Sequence, residues 1–347
     1  MTNHPLSTPR WVGVRFPPMA QPQAPDRNLA LELVRVTEAA ALAASRWMGR
    51  GDKEGADGAA VDAMRIILAS VQMDGIVVIG EGEKDEAPML FNGEHTGDGN
   101  PPQTDIAVDP IDGTRLLAEG RPGSLAVLAM SPRGTMFNPG PMVYMNKWVV
   151  GADAVGVVDI DAPIAENLAR IAKAKDKGVS DLTVIMLDRQ RHAEMAQGVR
   201  DAGARLRLIM DGDIAGGLLA ALPDRSIDVS IGIGGTPEGV TTACALRAIG
   251  GEMLGRLWAR DDAEAAVARE QGYDLQEVLT TERMVASPDT FFVCTGVTAG
   301  DLVDGVVYTG SGVLTESLSM RGKSGTLRFI KAQHTTRKLH QLGAAGA

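Results

Sequence analysis

The sequence predicts an α/β protein built in layers. Helical spacing and short apolar strands alternate from about residue 164 to 249, the rhythm of a layered sheet-and-helix fold. Short apolar runs bounded by Gly, Pro and Asn dominate before and after that segment, so strands flank it. Several strands end on Asp- and Gly-rich turns, where ligands of α/β sheets commonly bind. A chain of 347 residues buries a large core, as one large domain or two closely packed ones.

Composition narrows the function. Apolar residues make up 44% and charged residues 22%, ordinary globular usage. A net charge of -10 argues against nucleic acid, because no broad surface neutralises phosphates. A phosphorylated small substrate remains open, since a few local cations reverse the field of a pocket. Cys244 and Cys294 form no Cys-x-x-Cys pair, so neither a disulfide framework nor a thiolate site is indicated. The five histidines show no zinc-ligand spacing, which leaves oxygen ligands for any metal. The first 26 residues are proline-rich and lack the apolar segment of a secretory signal. No window has the apolar length of a membrane span. The expectation is a cytoplasmic protein without a membrane or nucleic-acid partner.

In chain order, residues 1–26 read as a flexible arm in which Trp11 and Phe16 are available for docking. Residues 28–50 read as a helix, with Leu29, Leu33, Val36, Ala40 and Ala43 at helical spacing. Residues 51–57 read as a polar loop in which Asp57 is compatible with an N-cap, and a second helix follows over 58–72. Residues 76–79 form a buried strand that feeds a charged run over 80–86. Such a run is ordinarily a solvated turn, but Gly80 and Gly82 on either side of Glu81 make a thin-walled corner that aims its carboxylate inward. Residues 92–104 read as a surface loop.

The central stretch is Asp109-Pro110-Ile111-Asp112-Gly113-Thr114. The apolar run 106–108 predicts a strand ending at Asp109, and Pro110 forces a turn. Asp112 returns near Asp109, Gly113 clears space for a close approach, and a helix-like stretch follows. Two convergent carboxylates beside bare backbone suit a hard cation next to a phosphate. Strands are then expected over 124–130, 142–150 and 155–159. Helices follow over 164–175, 192–202, 214–222 and 237–249, alternating with strands over 182–187, 206–210 and 227–233. Strands return over 291–298, 306–308, 314–320 and 327–330, before a loose tail over 335–347. A boundary near 159–163 divides a metal-binding half (27–160) from a substrate-binding half (161–334).

Two further turns join the central one. Asp211-Gly212-Asp213 follows a strand, and Asp213 by itself is compatible with an N-cap. Gly232-Ile233-Gly234-Gly235-Thr236-Pro237-Glu238-Gly239 permits backbone approach to an anion, and Pro237 starts a helix well. Glu238 falls in that first turn, where the macrodipole favours a carboxylate even without a ligand. Arg189 and Arg191 sit at a strand end; there they are either exposed helix starters or a bidentate grip on phosphate. Tyr144 lies in a strand, a position more often core or rim. Asp57, Glu81, Asp109, Asp112 and Glu238 are five carboxylates near turns, an oxygen set that favours Mg²⁺ or Mn²⁺ over thiophilic metals.

Taken together, these motifs make the chain resemble the class II fructose-1,6-bisphosphatases of the lithium-sensitive, metal-dependent phosphatase superfamily. The resemblance covers about residues 27–330. It rests on Arg50-Gly51-Asp52-Lys53, Ala56-Asp57-Gly58, Ile79-Gly80-Glu81-Gly82-Glu83, Asp85-Glu86-Ala87-Pro88-Met89-Leu90, the 105–114 stretch, Asp211-Gly212-Asp213, the 232–239 stretch and Arg321-Gly322-Lys323. It implies a layered α-β-α-β-α sandwich and a homodimer or homotetramer. It implies Asp57 and Glu81 as one metal pair, and Asp109, Asp112 and Glu238 as ligands of a second metal. It implies Asp112, Gly113, Thr114, Tyr144, Arg189, Gln190, Arg191, Asp211, Gly212, Asp213 and Gly235 as substrate contacts, with Asp57, Glu81 and Thr114 catalytic. Gln190 stands where proline is familiar, and residues 1–26 extend beyond the usual start.

The implied reaction is hydrolysis of the 1-phosphate of fructose 1,6-bisphosphate, a step of gluconeogenesis, by water activated between two Mg²⁺ or Mn²⁺ ions. Thr114, with Asp57 or Glu81, orients or deprotonates the water. The Arg189–Arg191 region anchors the distant 6-phosphate. Asp211 and Asp213 accept hydrogen bonds from sugar hydroxyls. Sedoheptulose 1,7-bisphosphate and inositol monophosphate are the rival substrates. A non-catalytic sugar-phosphate sensor is the rival of another class, but such a protein has typically lost a metal carboxylate or the Thr114 hydroxyl, and both are present.

Overall fold

The structure is a computed structural model that describes residues 28–81 and 90–335. The arm over 1–26 with Trp11 and Phe16, the charged positions 83–86, and residues 336–347 of the expected tail lie outside the described residues.

The chain opens with helices α1 (Ala30–Ala44) and α2 (Lys53–Leu68), followed by β1 (Asp74–Ile79), β2 (His95–Thr96) and β3 (Gln103–Asp112). Short helix α3 (Thr114–Ala118) leads to β4 (Leu125–Pro132) and β5 (Tyr144–Val150). The alternating segment is α4 (Ile164–Ala174), β6 (Thr183–Leu187), α5 (Ala193–Asp201), β7 (Arg205–Ile209), α6 (Asp213–Ala221), β8 (Val229–Gly235) and α7 (Thr236–Ile249). Then come β9 (Glu252–Trp258), α8 (Asp262–Glu270), β10 (Leu279–Thr280) and α9 (Thr281–Met284). Strands β11 (Phe291–Gly296), β12 (Val307–Thr309), β13 (Gly312–Arg321) and β14 (Thr326–His334) close the chain.

Two sheets result. The first runs β12-β13-β11-β4-β3-β1-β2, with β14 also paired to β13; the second runs β10-β9-β5-β8-β6-β7. Side-chain alternation assigns the layers. In β3 and β4, Ile106, Val108, Ala126 and Leu128 pack with Leu33, Val36, Met64 and Leu68 of α1 and α2. The intervening Ala107, Val127 and Ala129 pack with Leu218 of α6, Val240 and Cys244 of α7, and Met145 of β5. On the far face of the second sheet, Trp148 and Val184 meet Leu168 and Ile171 of α4 and Val199 of α5. Strands buried on both faces read as continuous apolar runs. The order is α-β-α-β-α, the layered sandwich expected from the sequence.

The change of sheet does not coincide with the boundary expected near 159–163. Strands from both ends of the chain, 74–132 and 291–334, share the first sheet, while β5 already belongs to the second. The expected strand over 155–159 is absent: that segment is a turn with no strand partner among the described residues. Helix α2 begins at Lys53, five residues earlier than expected, because Asp52 caps it by accepting from Gly55 N at 2.9 Å. Asp57 is therefore inside the helix and not its cap. Strand β3 does not stop at Asp109. It continues through Pro110 as a bulge: Asp109 faces Val127 and Asp112 faces Leu125, three steps on one strand against two on the other. The extra residue turns the strand locally, and both aspartates stay on the sheet.

Candidate active site

Three glycine-hinged turns deliver carboxylates to one cavity of about 460 Å³ between the sheets. Gly113 (φ 83°) joins β3 to α3, and Gly212 (φ 92°) joins β7 to α6. Both are left-handed, a conformation that glycine adopts without steric penalty. Gly235 joins β8 to α7 for a different reason. A Cβ there would lie 1.6 Å from Glu238 Oε2, and one at Gly234 would lie 2.0 Å from Asp213 Oδ2. The bare backbone is what lets these two carboxylates lie back over the strand end.

Glu81, Asp109, Asp112, Gly113, Thr114, Tyr144, Arg189, Arg191, Asp211, Gly212, Asp213, Gly235 and Glu238 all line the cavity. Asp57 sits directly behind it: Thr114 Oγ1 lies 3.2 Å from Asp57 Oδ1 and 3.0 Å from Ile111 O, and donates its single hydrogen between them. Gln190 is not brought in. It starts the single turn Gln190–His192 and faces a separate small cavity with Ala193 and Ala196. Its expected contact with substrate is not supported by its position, because that turn aims Arg189 and Arg191 inward and Gln190 outward.

The carboxylates repel one another. Asp57 is raised by burial, with the Thr114 hydrogen bond and Lys53 opposing. Glu81 remains open to solvent at the cavity mouth but is crowded by protein. That crowding, with the charges of Asp57 and Glu238, raises its carboxyl to about 7. Burial and then Asp112, Glu81 and Glu238 raise Asp109 well above the usual range. Burial and then Glu238 and Asp213 do the same to Asp112, with Lys147 opposing. Glu238 is raised by burial, again against Lys147. Asp112 is 5% exposed, and its Oδ2 has no hydrogen-bond partner among the described residues. Burial of several unpaired carboxylates is unfavourable. An all-oxygen, negatively charged donor set with an orphaned buried oxygen fits a hard divalent cation. The side chains do not already stand as a closed cage: among the described residues no group of three acidic, His or Cys side chains is drawn together tightly enough to enclose an ion.

Lys147 was not singled out in the sequence. It is 5% exposed, lies 2.5 Å from Asp213 Oδ2 and donates to Gly235 O at 2.9 Å. A lysine inside the apolar run of β5 was the available signal, since Lys is almost never fully buried unless paired.

The opposite wall carries the cations. Arg189 pairs with Asp211 and donates to Met210 O. Arg191 donates from Nε and Nη2 to Ile233 O at 3.1 and 2.8 Å, and its guanidinium stands 4.8 Å from the centre of the Tyr144 ring. His192 fixes this loop to β8. Its Nε2 accepts from Ile233 N at 2.8 Å, so Nδ1 carries the proton and donates to Leu187 O at 2.7 Å. Burial lowers the His192 pKa and keeps the ring neutral.

Among the described residues no helix is long and apolar enough to cross a membrane. Residues 27–334 match the family described as bacterial fructose-1,6-bisphosphatase, glpX-encoded. The chain is 46% identical over 321 residues to fructose-1,6-bisphosphatase 1 class 2 of Escherichia coli strain K12, covering 89% of this chain and 95% of that protein. The class 2 fructose-1,6-bisphosphatase of Shigella flexneri matches to the same extent. With nearly its whole length matched and its carboxylates gathered at one cavity, the chain belongs to the bacterial class 2 fructose-1,6-bisphosphatase family of phosphatases.

Proposed function

We propose that this chain hydrolyses fructose 1,6-bisphosphate to fructose 6-phosphate and inorganic phosphate with Mg²⁺ or Mn²⁺, the phosphatase step of gluconeogenesis. One observation carries the reading: Glu81, Asp109, Asp112 and Glu238, all with raised pKa values, line one cavity with Thr114, Arg189 and Arg191, and Asp57 stands behind Thr114. Asp57 with Glu81, and Asp109 with Asp112 and Glu238, are the groups that would hold two divalent ions. When bound, such ions supply charge neutralisation at the phosphoryl group and a more acidic water.

The chain's own groups do the rest. Thr114, held against Asp57, orients the attacking water, and Asp57 or Glu81 takes its proton. The water oxygen bonds to phosphorus as the bond from phosphorus to the C1 oxygen breaks; the electron pair leaves with that oxygen, which is then protonated. Arg191 commits two of its five N–H donors to Ile233, which leaves the rest of the fork for the 6-phosphate. Asp211, aligned by Arg189, and Asp213, held by Lys147, accept from sugar hydroxyls. Lys147 is a positioning residue in this scheme. Exposed Val307 and Leu314, paired across β12 and β13, support a homodimer or homotetramer.

Phosphate release across a sugar-phosphate panel, with metal titration and lithium, tests the reading. Turnover highest on fructose 1,6-bisphosphate is expected, abolished by chelation. Preference for inositol monophosphate would overturn it, and preference for sedoheptulose 1,7-bisphosphate would move the substrate.

Two substitutions probe the walls separately. Arg191→Ala is expected to raise KM for the bisphosphate by about tenfold or more, the order of a lost charge-assisted hydrogen bond. Fructose 1-phosphate hydrolysis should hardly change, and equal losses on both substrates would remove Arg191 from the distal phosphate. Gly235→Ala displaces the Glu238 carboxylate by the clash described above. Since a misplacement of about 1 Å costs on the order of a hundredfold, kcat should fall by about that much while the far-UV spectrum is retained.

A further inference from the structure

Far from the carboxylates, at the other end of the first sheet, four strand ends enclose a cavity of about 340 Å³. Thr104 at the start of β3, Ser131 near the end of β4, Phe291 at the start of β11 and Arg321 at the end of β13 line it, with Leu29 and Asp289. Thr104 and Asp109 are five residues apart on one strand, roughly 17 Å at the usual rise, so this space is separate from the site above.

Arg321 is the anomaly. It is only 8% exposed, and its guanidinium lies 5.2 Å from the centre of the Phe291 ring. Among the described residues no acidic group forms an ion pair with it, and its Nε has no hydrogen-bond partner. A buried guanidinium that forms no ion pair is unfavourable even with the Asp289 carboxylate on the same cavity wall, and a water molecule satisfies a donor without neutralising the charge. Two more polar atoms at the same cavity are buried without partners, Asp289 Oδ1 and Ser131 Oγ. The arrangement is held in place. Gly322 N donates to Thr290 O at 2.8 Å, and a Cβ at Gly322 would lie 2.2 Å from Pro288 O. That close packing locks the turn after Arg321 against the segment carrying Asp289. The rest of the lining is mostly apolar, from Leu29 and Phe291 among others.

We propose that this cavity is a second ligand site, for a small organic anion: a carboxylate or monophosphate on a compact apolar ring that also bears a hydrogen-bond donor. The anionic group meets Arg321, the ring packs against Leu29 and Phe291, and the donor meets Asp289. The volume lies at the small end of ordinary ligand pockets. The assignment uses none of the groups of the hydrolytic site and stands independently of the proposed reaction.

Titration calorimetry on the full chain without divalent metal tests it, with 4-aminobenzoate, 4-aminophenyl phosphate and inorganic phosphate as probes. Three proteins are compared: the unaltered chain, Arg321→Met, and Ser131→Val, which replaces a hydroxyl on the cavity wall by a bulkier apolar group while leaving Arg321 in place. Anion binding at the hydrolytic cavity contributes equally to all three. The expected result is one further equivalent of an aromatic probe on the unaltered chain, weakened at least about tenfold in both variants. The tighter of the two aromatic probes identifies the head group. Identical isotherms for the unaltered chain and Arg321→Met overturn the site. If Arg321→Met does not fold, identical isotherms with Ser131→Val overturn it equally. Inorganic phosphate binding through Arg321 as tightly as the aromatic probes overturns the apolar body of the ligand.

Discussion

Asp109→Asn is expected to reduce turnover by about a hundredfold to a thousandfold, the scale on which loss of a group stabilising transition-state charge is felt, without unfolding the protein. The two halves of this expectation have one cause. Asp109 lies on the bulge of β3, facing Val127 across the ladder, with its Oδ1 3.1 Å from Ile111 N. Asp112, Glu81 and Glu238 raise its pKa on top of burial. Asparagine keeps the shape and the carbonyl acceptor for Ile111 but removes the charge that a divalent ion requires. Removing one of several mutually repelling carboxylates leaves the metal-free fold as stable or more so. Phosphate release at saturating Mn²⁺ and Mg²⁺, with melting curves in chelator, checks both halves. Normal turnover in this variant would remove Asp109 from the proposed ligands, and a much lower melting temperature would give it a structural role instead.

The second large effect is on stability as a function of pH. For an acid whose pKa is raised by folding, the stabilisation is fully present below the unfolded pKa and is lost as pH rises through the folded one. Glu81 moves from 4.5 to about 7, and Asp109 and Asp112 move well above 3.8. Metal-free protein should therefore lose stability between about pH 4.5 and pH 8 through this cluster, the reverse of the usual acid lability. Divalent cation should restore stability most strongly at the upper end, because it binds the ionised folded state and not the unfolded chain. Melting temperatures at pH 5.5 and pH 8, with and without Mn²⁺, give the comparison, with Asp109→Asn as control. A pH slope in chelator equal in the two proteins would show that the cluster does not carry the effect.

How much of this was legible beforehand depends on the range of the signal. Helices α4 and α7 and strands β4, β6 and β8 have local signals, in apolar period and punctuation, and were read close to their observed bounds, whereas α1 was expected to run to residue 50 and ends at Ala44. Strand β9 was missed because Met253 and Leu257 are its only large buried side chains, with Gly255 between them. Helix α8 was missed because its buried face is only Ala265 and Ala268. Pro110 suggested a break, yet β3 continues, because the ladder with β4 absorbs the extra residue as a bulge.

Local chemistry, by itself, determined the layered α/β class, the three turns that carry carboxylates, and the pairing of acidic and basic residue types suited to a phosphate. Only the tertiary structure decided that Asp57 lies within a helix and against Thr114, that Gln190 faces away, and that a buried Lys147 pairs with Asp213. Each of these depends on which residues from distant strands become neighbours. A short stretch of sequence encodes backbone preference and polarity, whereas the repulsion among Glu81, Asp109, Asp112 and Glu238 exists only once the two sheets have closed around a common space.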